Sequence, residues 1–478
     1  MFVPIRILMF LILLLLNVNV LAFKSKVNIN DVQQYLHVNR IVLNGNVQTK
    51  DFVVFRELEF TVGDSIKLNS IKERIEKSKQ NLLNTSLFNF VIISINYISD
   101  KQIDVNVNLD ERWYLWPYPV FEHADRNLSS FIDNGDWAKV DYGIYFLVSN
   151  FRGRNETLKL KAISGYKNQF SVYYYKPYID ENNQFGAGMS IDYYRNHEIA
   201  YVTSNNELSY LKFRNRLARY TFGSSFFITY RPKIYNTHKW IVEYNRAFVQ
   251  DSVSILNENY FGDGKNSASY IKLTYRFERD KRDSKIYPLD GYYFDFNISK
   301  RGGDVIQNNI INDLYLKSSV EKYFSFGKKL YFSSGIESKI SIFSEHSYYL
   351  SEALGFDNYL RGMEYYVMNG QNYFINKNNL KFEIFPKTIK NLKFIPFEKF
   401  NKIHYALYCN LFFDTGLAYS NSYFKENENT MLNEMLYSGG IGVDLVTYYD
   451  KVFRVEYSVN RYGEHGLFFH LGAPIVCN

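Results

Sequence analysis

The spacing of apolar residues divides the chain into two segments. A short segment mixes helical spacing with strand alternation, and a long segment shows strand alternation alone. Between residues 37 and 110, "KLNSIKERIEKSKQNLLNTSLF" carries apolar residues at helical spacing with charges between them, which predicts an amphipathic helix. The stretch "KDFVVFREL" predicts a shorter helix, and "HVNRIVLNG", "FVIISINYI" and "QIDVNVNLD" predict strands. The order strand, helix, helix, strand, strand predicts a small α+β domain that can fold by itself.

From residue 139 to residue 478 the apolar period becomes two. In "YIKLTYRFE" and "VFRVEYSVN" one face is apolar and aromatic while the other is polar. In the second stretch the polar face carries Arg454, Glu456, Ser458 and Asn460. A soluble β-sandwich also alternates, but it rarely needs 18% aromatic residues, here 43 Tyr and 40 Phe. Such residues form girdles at both interfaces of outer-membrane barrels, so the pattern favours a transmembrane barrel.

The length of the alternating region sets the number of strands. At roughly 20 residues per strand with its turns, it predicts about 16 antiparallel strands, an even number as bacterial barrels require. The sheet must close, because lipid cannot satisfy an open edge. We expect the first strand near residues 142–148 and the last near residues 466–473. Residues 111–138, which contain "ERWYLWPYPVFEHADRN", are predicted to be a stiff aromatic connector at the membrane surface.

The N-terminal residues indicate the cellular compartment, and the charges bear on the kind of partner. Residues 1–22 contain one charge ahead of a short apolar run, which predicts a secretory signal peptide cleaved after Ala22. The net charge of +7 is spread among acidic residues, so no nucleic-acid surface is indicated. Cys409 and Cys477 have no metal-ligand spacing, and both a single long-range disulfide and two incidental thiols fit the sequence. We expect no cofactor.

Several motifs add a family resemblance. "RIVLNGNVQTKDFVVFRELEFTVGDSI" and "KSKQNLLNTSLFNFVIISI" resemble a POTRA domain, the periplasmic module of BamA/TamA-type outer-membrane assembly factors and of two-partner secretion transporters. "RDSKIYPLDGYYFDF", "LRGMEYY" and "FFDTG" resemble, in the same order, the barrel motifs of that superfamily. The resemblance implies a single periplasmic POTRA domain over residues 37–110, followed by a barrel of 16 strands in the outer membrane of a Gram-negative bacterium.

Arg361 is the candidate functional residue. Strand parity directs Asp414, Gly416 and Glu383 into the lumen, and by resemblance the loop that carries Arg361 folds back into that lumen. A guanidinium can bridge two carboxylates through its forked donors, so we expect Arg361 to join Glu383 to Asp414. Gly362 allows the sharp turn that aims the arginine. The alternative is a solvated loop arginine.

The resemblance implies an insertase or translocase without catalytic chemistry, which accepts unfolded outer-membrane or secreted proteins at the POTRA domain and opens laterally. Its partners would be the outer-membrane bilayer, these substrates and periplasmic accessory proteins or chaperones. A passive channel or receptor barrel is the alternative. A barrel lipase or protease is disfavoured, because the eight His form no Ser-His-Asp arrangement at a convincing spacing.

Overall fold

The computed structural model describes residues 34–123, 140–213, 216–302, 311–343, 347–392, 398–420 and 429–472. The predicted signal peptide and Cys477 lie outside these ranges. Among the described residues, no helix has the length and apolar character needed to cross a membrane.

The N-terminal region is a four-stranded sheet packed on helices. Its elements are β1 (Tyr35–Asn44), α1 (Asp51–Phe55), β2 (Ser65–Lys67), α2 (Leu68–Asn84), β3 (Phe88–Ser99) and β4 (Gln102–Glu111). The strand order is β2-β1-β4-β3, with β1 parallel to β4 and the other neighbours antiparallel. The core takes one face of α2, through Ile71 and Leu82, and alternate residues of β4, through Ile103, Val105 and Val107. This is the α+β domain that the sequence predicts.

From Leu115 onward the described residues include one antiparallel sheet of sixteen strands, so the predicted strand number is confirmed. In chain order the strands are β5 (Leu115–His123), β6 (Val140–Phe151), β7 (Glu156–Gly165), β8 (Lys167–Lys176), β9 (Phe185–Asn196), β12 (Arg219–Lys233), β13 (Asn236–Val249), β14 (Ser267–Asp280), β15 (Gly291–Gly302), β16 (Asp313–Phe326), β17 (Leu330–Phe343), β20 (Asn372–Asn391), β21 (Lys402–Tyr419), β22 (Leu436–Thr447), β23 (Lys451–Asn460) and β24 (His465–Leu471).

Shorter elements lie in the connections. The hairpin β10 (Glu198–Ser204) and β11 (Glu207–Lys212), helix α3 (Asp251–Leu256), a 3₁₀ turn (Tyr348–Leu350) and the small pair β18 (Glu352–Leu354) and β19 (Met368–Asn369) occur at one end of the barrel. Helix α4 (Glu398–Asn401) precedes β21 at the other end. Buried residues from the first group, including Ile199, Val253 and Leu354, share one apolar cluster. The long connections therefore pack together as a cap over one mouth of the barrel.

The predicted connector is wrong over most of its described length, because β5 is the first strand of the sheet. The barrel therefore begins at Leu115 rather than at residue 139, and the strand near residues 142–148 is the second one. The two prolines and two tryptophans of this stretch indicate a stiff connector, yet proline is tolerated on an edge strand when its missing donor points away from the neighbour. β5 is such an edge.

The two faces of the sheet differ as the alternation predicts. In β23 every even-numbered residue from Val452 to Asn460 is buried and every odd-numbered one is exposed. Ser458 is fully buried, whereas Tyr457 and Val459 are close to half exposed. Polar side chains thus face the lumen and apolar side chains face outward, the arrangement of a barrel that lies in lipid.

Candidate functional site

Residues 355–367, which we call the Arg361 loop, leave the cap and enter the lumen. The β18–β19 pair closes the base of the loop, with Leu354 opposite Met368. Gly362 has a φ of +83°, in the region that glycine adopts most readily. A Cβ atom there would also lie 2.9 Å from Ser458 Oγ on β23, so the loop presses against the wall at this point. Glycine meets both the backbone and the steric requirement.

Arg361 lies at the tip of the loop and is 1% exposed. Its Nε donates to one Asp414 oxygen at 2.7 Å and its Nη2 donates to the other at 2.5 Å, so the pair is bidentate. Its Nη1 donates to Asn379 Oδ1 at 2.7 Å and contacts Glu456 Oε1 at 3.4 Å. The guanidinium carbon lies 4.0 Å from the centre of the Phe412 ring. A buried cation with this many partners is held in one orientation.

Gly416 makes room for the residue before Arg361. A Cβ atom at Gly416 would lie 2.9 Å from Leu360 Cδ1 and 3.1 Å from Leu360 Cδ2. Leu360 is 2% exposed and belongs to the apolar cluster of the cap. The "FFDTG" stretch on β21 therefore supplies three parts of one receptacle, which are the ring of Phe412, the carboxylate of Asp414 and the gap above Gly416.

The expected contact with Glu383 is wrong. In the described part of the chain Arg361 pairs with Asp414 and Glu456, while Glu383 accepts a hydrogen bond from Tyr408 at 3.4 Å. Asp414 lies opposite Lys377 in the β20–β21 ladder, and Glu383 is six residues beyond Lys377. At 3.3 Å per residue this is about 20 Å along the strand. Both carboxylates have the predicted parity, but they lie at different depths in the barrel.

Sequence reasoning missed Glu456 and Asn379 as partners of Arg361. A signal for Glu456 existed, because it sits on the polar face of "VFRVEYSVN". Glu456 also pairs with Arg454 at 3.2 Å and lies 3.7 Å from Nε2 of His470 on β24. His470 Nε2 is 3.3 Å from Glu364 of the Arg361 loop. The network therefore extends from β20 to the last strand.

A second segment enters the lumen from the opposite mouth. The turn between β14 and β15 carries Tyr287, whose hydroxyl donates to Asp444 Oδ2 on β22 at 2.6 Å. Lys381 of β20 lies with its Nζ 4.1 Å from the centre of the Tyr287 ring, and it donates to the Pro288 carbonyl at 3.4 Å. Lys381 is 1% exposed. The inner wall of β20–β23 is thus contacted from both ends.

The N-terminal domain docks on the mouth that this turn occupies. Glu57 accepts two hydrogen bonds from Arg231 near the end of β12, at 2.5 and 2.8 Å. Arg112 donates to both oxygens of Asp450 at the β22–β23 turn, at 2.5 and 2.9 Å. Further contacts reach three other turns on this rim, through Lys50 to Gly153, Arg56 to Asn183 and Asn84 to Arg282.

The contact with the N-terminal domain also raises the pKa of a tyrosine on the rim of the barrel. Tyr178, in the turn between β8 and β9, packs against the core of the N-terminal domain. Burial raises the pKa of Tyr178 to about 12, and the nearby Glu57 carboxylate adds to the increase. The phenol is therefore neutral at physiological pH. It contributes packing and no charge to this contact, where Glu57 and Arg231 carry the charges.

The last feature is the seam, our name for the junction between the free edges of β5 and β24. The sheet order runs from β24 to β5, and no ladder joins these two strands among the described residues. At the mouth that the N-terminal domain covers, Trp116 of β5 packs edge-on against Tyr449, with ring centres 5.0 Å apart, and against Phe400, at 5.9 Å. The periplasmic end of β5 therefore contacts the β22–β23 turn and α4, which belong to the other end of the sheet.

Comparisons with known proteins agree with this architecture. A model of the Omp85 superfamily domain matches residues 150–374, and a POTRA model, described as a surface antigen variable number repeat, matches residues 36–112. No curated protein sequence gives a match.

Two solved structures share the fold. BamA from Haemophilus ducreyi lacking POTRA domains 1-3 is 13% identical, with a TM-score of 0.50 over 92% of this chain and 85% of that one. CdiB from Escherichia coli is 10% identical, with a TM-score of 0.52 over 91% of this chain and 76% of that one. At these identities the likeness is one of fold.

The family models and the sixteen-stranded sheet together confirm the resemblance that the motifs indicate. They also confirm the predicted compartment, which sets the capped mouth outside the cell and the docked domain in the periplasm. The chain carries a domain of the Omp85 superfamily and a POTRA domain, with its barrel in the outer membrane and its POTRA domain in the periplasm.

Proposed function

We propose that this protein is a non-catalytic insertase or exporter, which accepts unfolded β-rich chains at its POTRA domain and passes them to a barrel that opens at the seam. The observation that carries the proposal is that no ladder joins β5 to β24 among the described residues, in a sheet whose other neighbours all form ladders. Each unsatisfied backbone group costs several kcal/mol in lipid. An unpaired junction is therefore the place where the wall opens at the lowest cost in free energy.

The POTRA domain offers a first binding surface. β3 is the outer strand of its sheet and runs for 12 residues, so one side of its backbone faces away from β4. Ile92, Tyr97 and Ile98 on this strand are each more than half exposed. An extended segment of a substrate can add to such an edge by main-chain hydrogen bonds, while these side chains contact its apolar residues.

The filled lumen supports this function over a passive channel or receptor. The Arg361 loop descends from the extracellular cap and Tyr287 rises from the periplasmic turn, and both end on the wall of β20–β23. The POTRA domain adds contacts around the periplasmic rim. A freely conducting pore needs an unobstructed path, so the channel alternative requires these elements to leave the lumen.

The test is a reconstitution in phospholipid vesicles with an unfolded outer-membrane barrel protein as the probe. Cysteine pairs between residues 115–121 and 465–471 are scanned in a C409S/C477S background to find one that closes the seam by a disulfide. We expect oxidation to stop probe folding, read as its gel shift on heating, and reduction to restore it. The same pair moved to neighbouring strands β22 and β23 is the control.

Two results would contradict the proposal. Probe folding at the full rate in the oxidised protein would show that the seam does not open during function. Ion conductance by the purified protein without a probe, at the level of an open pore, would favour the channel alternative. An exporter differs from an insertase in the same vesicles, because it delivers the probe to the lumen of the vesicle in a protease-protected form without folding it into the bilayer.

A further inference from the structure

The hairpin of β20 and β21 extends further on the periplasmic side than the strands beside it. β20 pairs with β17 only as far as Phe382, and β21 pairs with β22 only from Tyr405 onward. The two strands pair with each other as far as Asn391 opposite Lys402. β20 therefore continues for about nine residues, or roughly 25–30 Å, beyond its last ladder partner on β17.

Two bulges bend this extension, and its tip is held in place. The register shifts on either side of Phe385, and each shift leaves one extra residue on β20. A bulged strand bends at the extra residue. Near the tip, the Phe400 ring lies 6.2 Å from the Trp113 ring and 5.9 Å from the Trp116 ring. The extension is therefore fixed against the junction between the N-terminal domain and β5.

The outward apolar row of β20 continues onto the extension. Leu380, Phe382 and Ile384 occupy alternate positions on the outer face, and all three are exposed. Phe385 resumes the row after the first bulge, because it lies opposite Leu407 on the outer face of β21. The outer face of a membrane barrel contacts lipid. A row that continues this face without a break keeps the start of the extension in contact with the membrane.

The extension is also strongly basic. We call residues 384–392 and 398–405 the basic hairpin, which contains one carboxylate, that of Glu398, and four lysines. The lysines are Lys387, Lys390, Lys399 and Lys402. Three of them, all but Lys399, are exposed, and none of these three pairs with a carboxylate among the described residues.

Carboxylates elsewhere on the barrel do neutralise lysines. Lys272 and Lys317 on the barrel wall pair with Glu243 and Glu337. Beside the basic hairpin, the β22–β23 turn carries Asp450, but Arg112 already binds both of its oxygens. The positive charge of the basic hairpin is therefore left for a partner outside the chain.

The exposed lysines lie close to the expected level of the membrane interface. Tyr405 lies on the outer face opposite Thr388, and outward tyrosines at strand ends are typical of the aromatic girdle. Lys387, Lys390 and Lys402 lie within about three residues, or roughly 10 Å, of this pair along their strands. A lysine can extend its ammonium group from an apolar surface into the headgroup layer. Attraction between exposed charges acts over about 8–10 Å at physiological ionic strength.

We propose that the basic hairpin binds the phosphate groups of anionic phospholipids in the periplasmic leaflet of the outer membrane. The inference does not depend on the proposed function. Lysines that alternate with apolar residues bind anionic membrane surfaces, because the apolar side chains enter the interface while the lysines attract phosphate. An acidic protein would also attract the lysines. The unbroken apolar row from Leu380 to Phe385 favours lipid, because it sets the lysines at the edge of the lipid-facing wall.

Phe385 and Phe185 form a matched pair of reporter positions for the test. Both are outward phenylalanines towards the periplasmic ends of their strands, with exposures of 55% and 41%. The turn before Phe185 carries Asp180 and Glu181. Each phenylalanine is replaced by cysteine, as F385C or F185C, in the full chain carrying C409S/C477S. The cysteine is labelled with bimane, and the protein is reconstituted in phosphatidylcholine vesicles.

The quencher is nitroxide-labelled phosphatidylglycerol or, in a parallel sample, the same amount of nitroxide-labelled phosphatidylcholine. At position 385 we expect phosphatidylglycerol to quench about twofold more than phosphatidylcholine, and at position 185 we expect equal quenching. Added salt should reduce the preference at position 385. Equal quenching by the two lipids at position 385 would overturn the inference. The same preference at both positions would overturn it as well, because it would belong to the whole barrel.

Two triple substitutions test the lysines themselves. K387Q/K390Q/K402Q should abolish the preference at position 385. K67Q/K72Q/K101Q is the control, since it removes three exposed lysines from the N-terminal domain. Of these, Lys72 lies about 18 Å along α2 from Asn84, the residue that contacts the barrel rim. The control should keep the preference.

Two outcomes of the substitutions would contradict the inference. A preference that survives K387Q/K390Q/K402Q would leave the lysines to another partner, such as an acidic protein, since the vesicles contain only this chain and lipid. An equal loss in both triple variants would assign the preference to the net charge of the chain. The comparison of positions 385 and 185 in the parent chain keeps all its lysines, so it decides the matter if a triple variant folds poorly.

Discussion

The inner wall of β20–β23 and the seam belong to neighbouring parts of one barrel, yet they treat polar groups in opposite ways. On the wall, the buried guanidinium of Arg361 meets Asp414, Asn379 and Glu456 from three strands. At the seam, Pro117 and Pro119 of β5 have no amide hydrogen to donate. The difference teaches that polar contacts are concentrated on one arc of the barrel and are sparse at the adjacent junction, which is the distribution that the proposed opening at the seam would need.

The largest effect is expected when Arg361, the centre of the ion-pair network on the inner wall, is replaced. R361A leaves Asp414 and Glu456 buried with one cation fewer, and breaking a buried pair in this way costs about 3–5 kcal/mol. We expect the Arg361 loop to become sensitive to added protease and the urea midpoint of the barrel in vesicles to fall. R361K should recover part of the loss, because lysine keeps the charge and loses the fork.

A double-mutant cycle separates the true partner from the wrong one. R361A and D414A should be strongly non-additive in the urea measurement, because both remove one bidentate pair. E383A is the matched control, since Glu383 is a lumen carboxylate on the adjacent strand that bonds Tyr408. R361A and E383A should add within about 0.5 kcal/mol. Coupling energies of equal size in both cycles would contradict a specific Arg361–Asp414 pair and would indicate that Arg361 interacts with the carboxylates of the lumen in general.

The next largest effect is expected at the periplasmic rim, where the N-terminal domain contacts the turns of the barrel. E57Q weakens two charge-assisted hydrogen bonds from Arg231, and such bonds contribute about 2 kcal/mol each when partly buried. We expect faster amide exchange at α1 and the β12–β13 turn, while the Arg361 loop stays resistant to protease. The reversed pair E57R/R231E should recover part of the protection. Greater exchange at β20–β23 would show that the rim and the wall are one unit.

A smaller effect is expected at the lower contact of the wall. Y287F removes the hydroxyl that donates to Asp444, a loss of about 1–2 kcal/mol, and keeps the ring that packs on Lys381. We expect a small fall in the urea midpoint. Y331F is the control, since the Tyr331 hydroxyl is exposed and donates to the backbone of Lys328. Equal effects of the two substitutions would argue that Tyr287 contributes only its ring.

The smallest effect depends on pH and lies in the POTRA domain. Hydrogen bonds from Asn39 and then from Arg40 hold the pKa of Asp104 below its usual value. A carboxyl whose pKa falls on folding stabilises the fold above its unfolded pKa of about 3.9 and loses that contribution as pH falls through the lower value. Exchange at β1 should therefore rise in acid, and D104N should remove this dependence while the wall remains unchanged.

Much of the wall could be predicted from the sequence, because a period of two assigns each residue to a face. The alternation in "VFRVEYSVN" places Arg454 and Glu456 in the lumen, where both are found. The period of two does not give the depth of a residue along the barrel axis. Glu383 and Asp414 share the lumen face but differ in depth by the register of β20 on β21, which depends on pairing that no local pattern encodes.

The seam and the lower contact escaped prediction for other reasons. Pro117 and Pro119 have low strand propensity, and only the position of β5 at the edge of the sheet makes them acceptable there. Tyr287 lies in a turn, and turns carry no period from which the direction of a side chain can be inferred. Its contact with Asp444 joins residues 157 positions apart and arises from the way the turn folds into the lumen.

The aromatic contacts at the base of the seam restrict how the wall can part. Trp116 is held against Tyr449 and Phe400, and Arg112 just before β5 is tied to Asp450, so the periplasmic end of β5 is fastened to the β22–β23 turn and to α4. The outer half of the seam has no such fastening among the described residues. If the seam opens as proposed, these contacts favour a wedge with its apex in the periplasmic leaflet, and a substrate strand would meet lipid of the outer leaflet first.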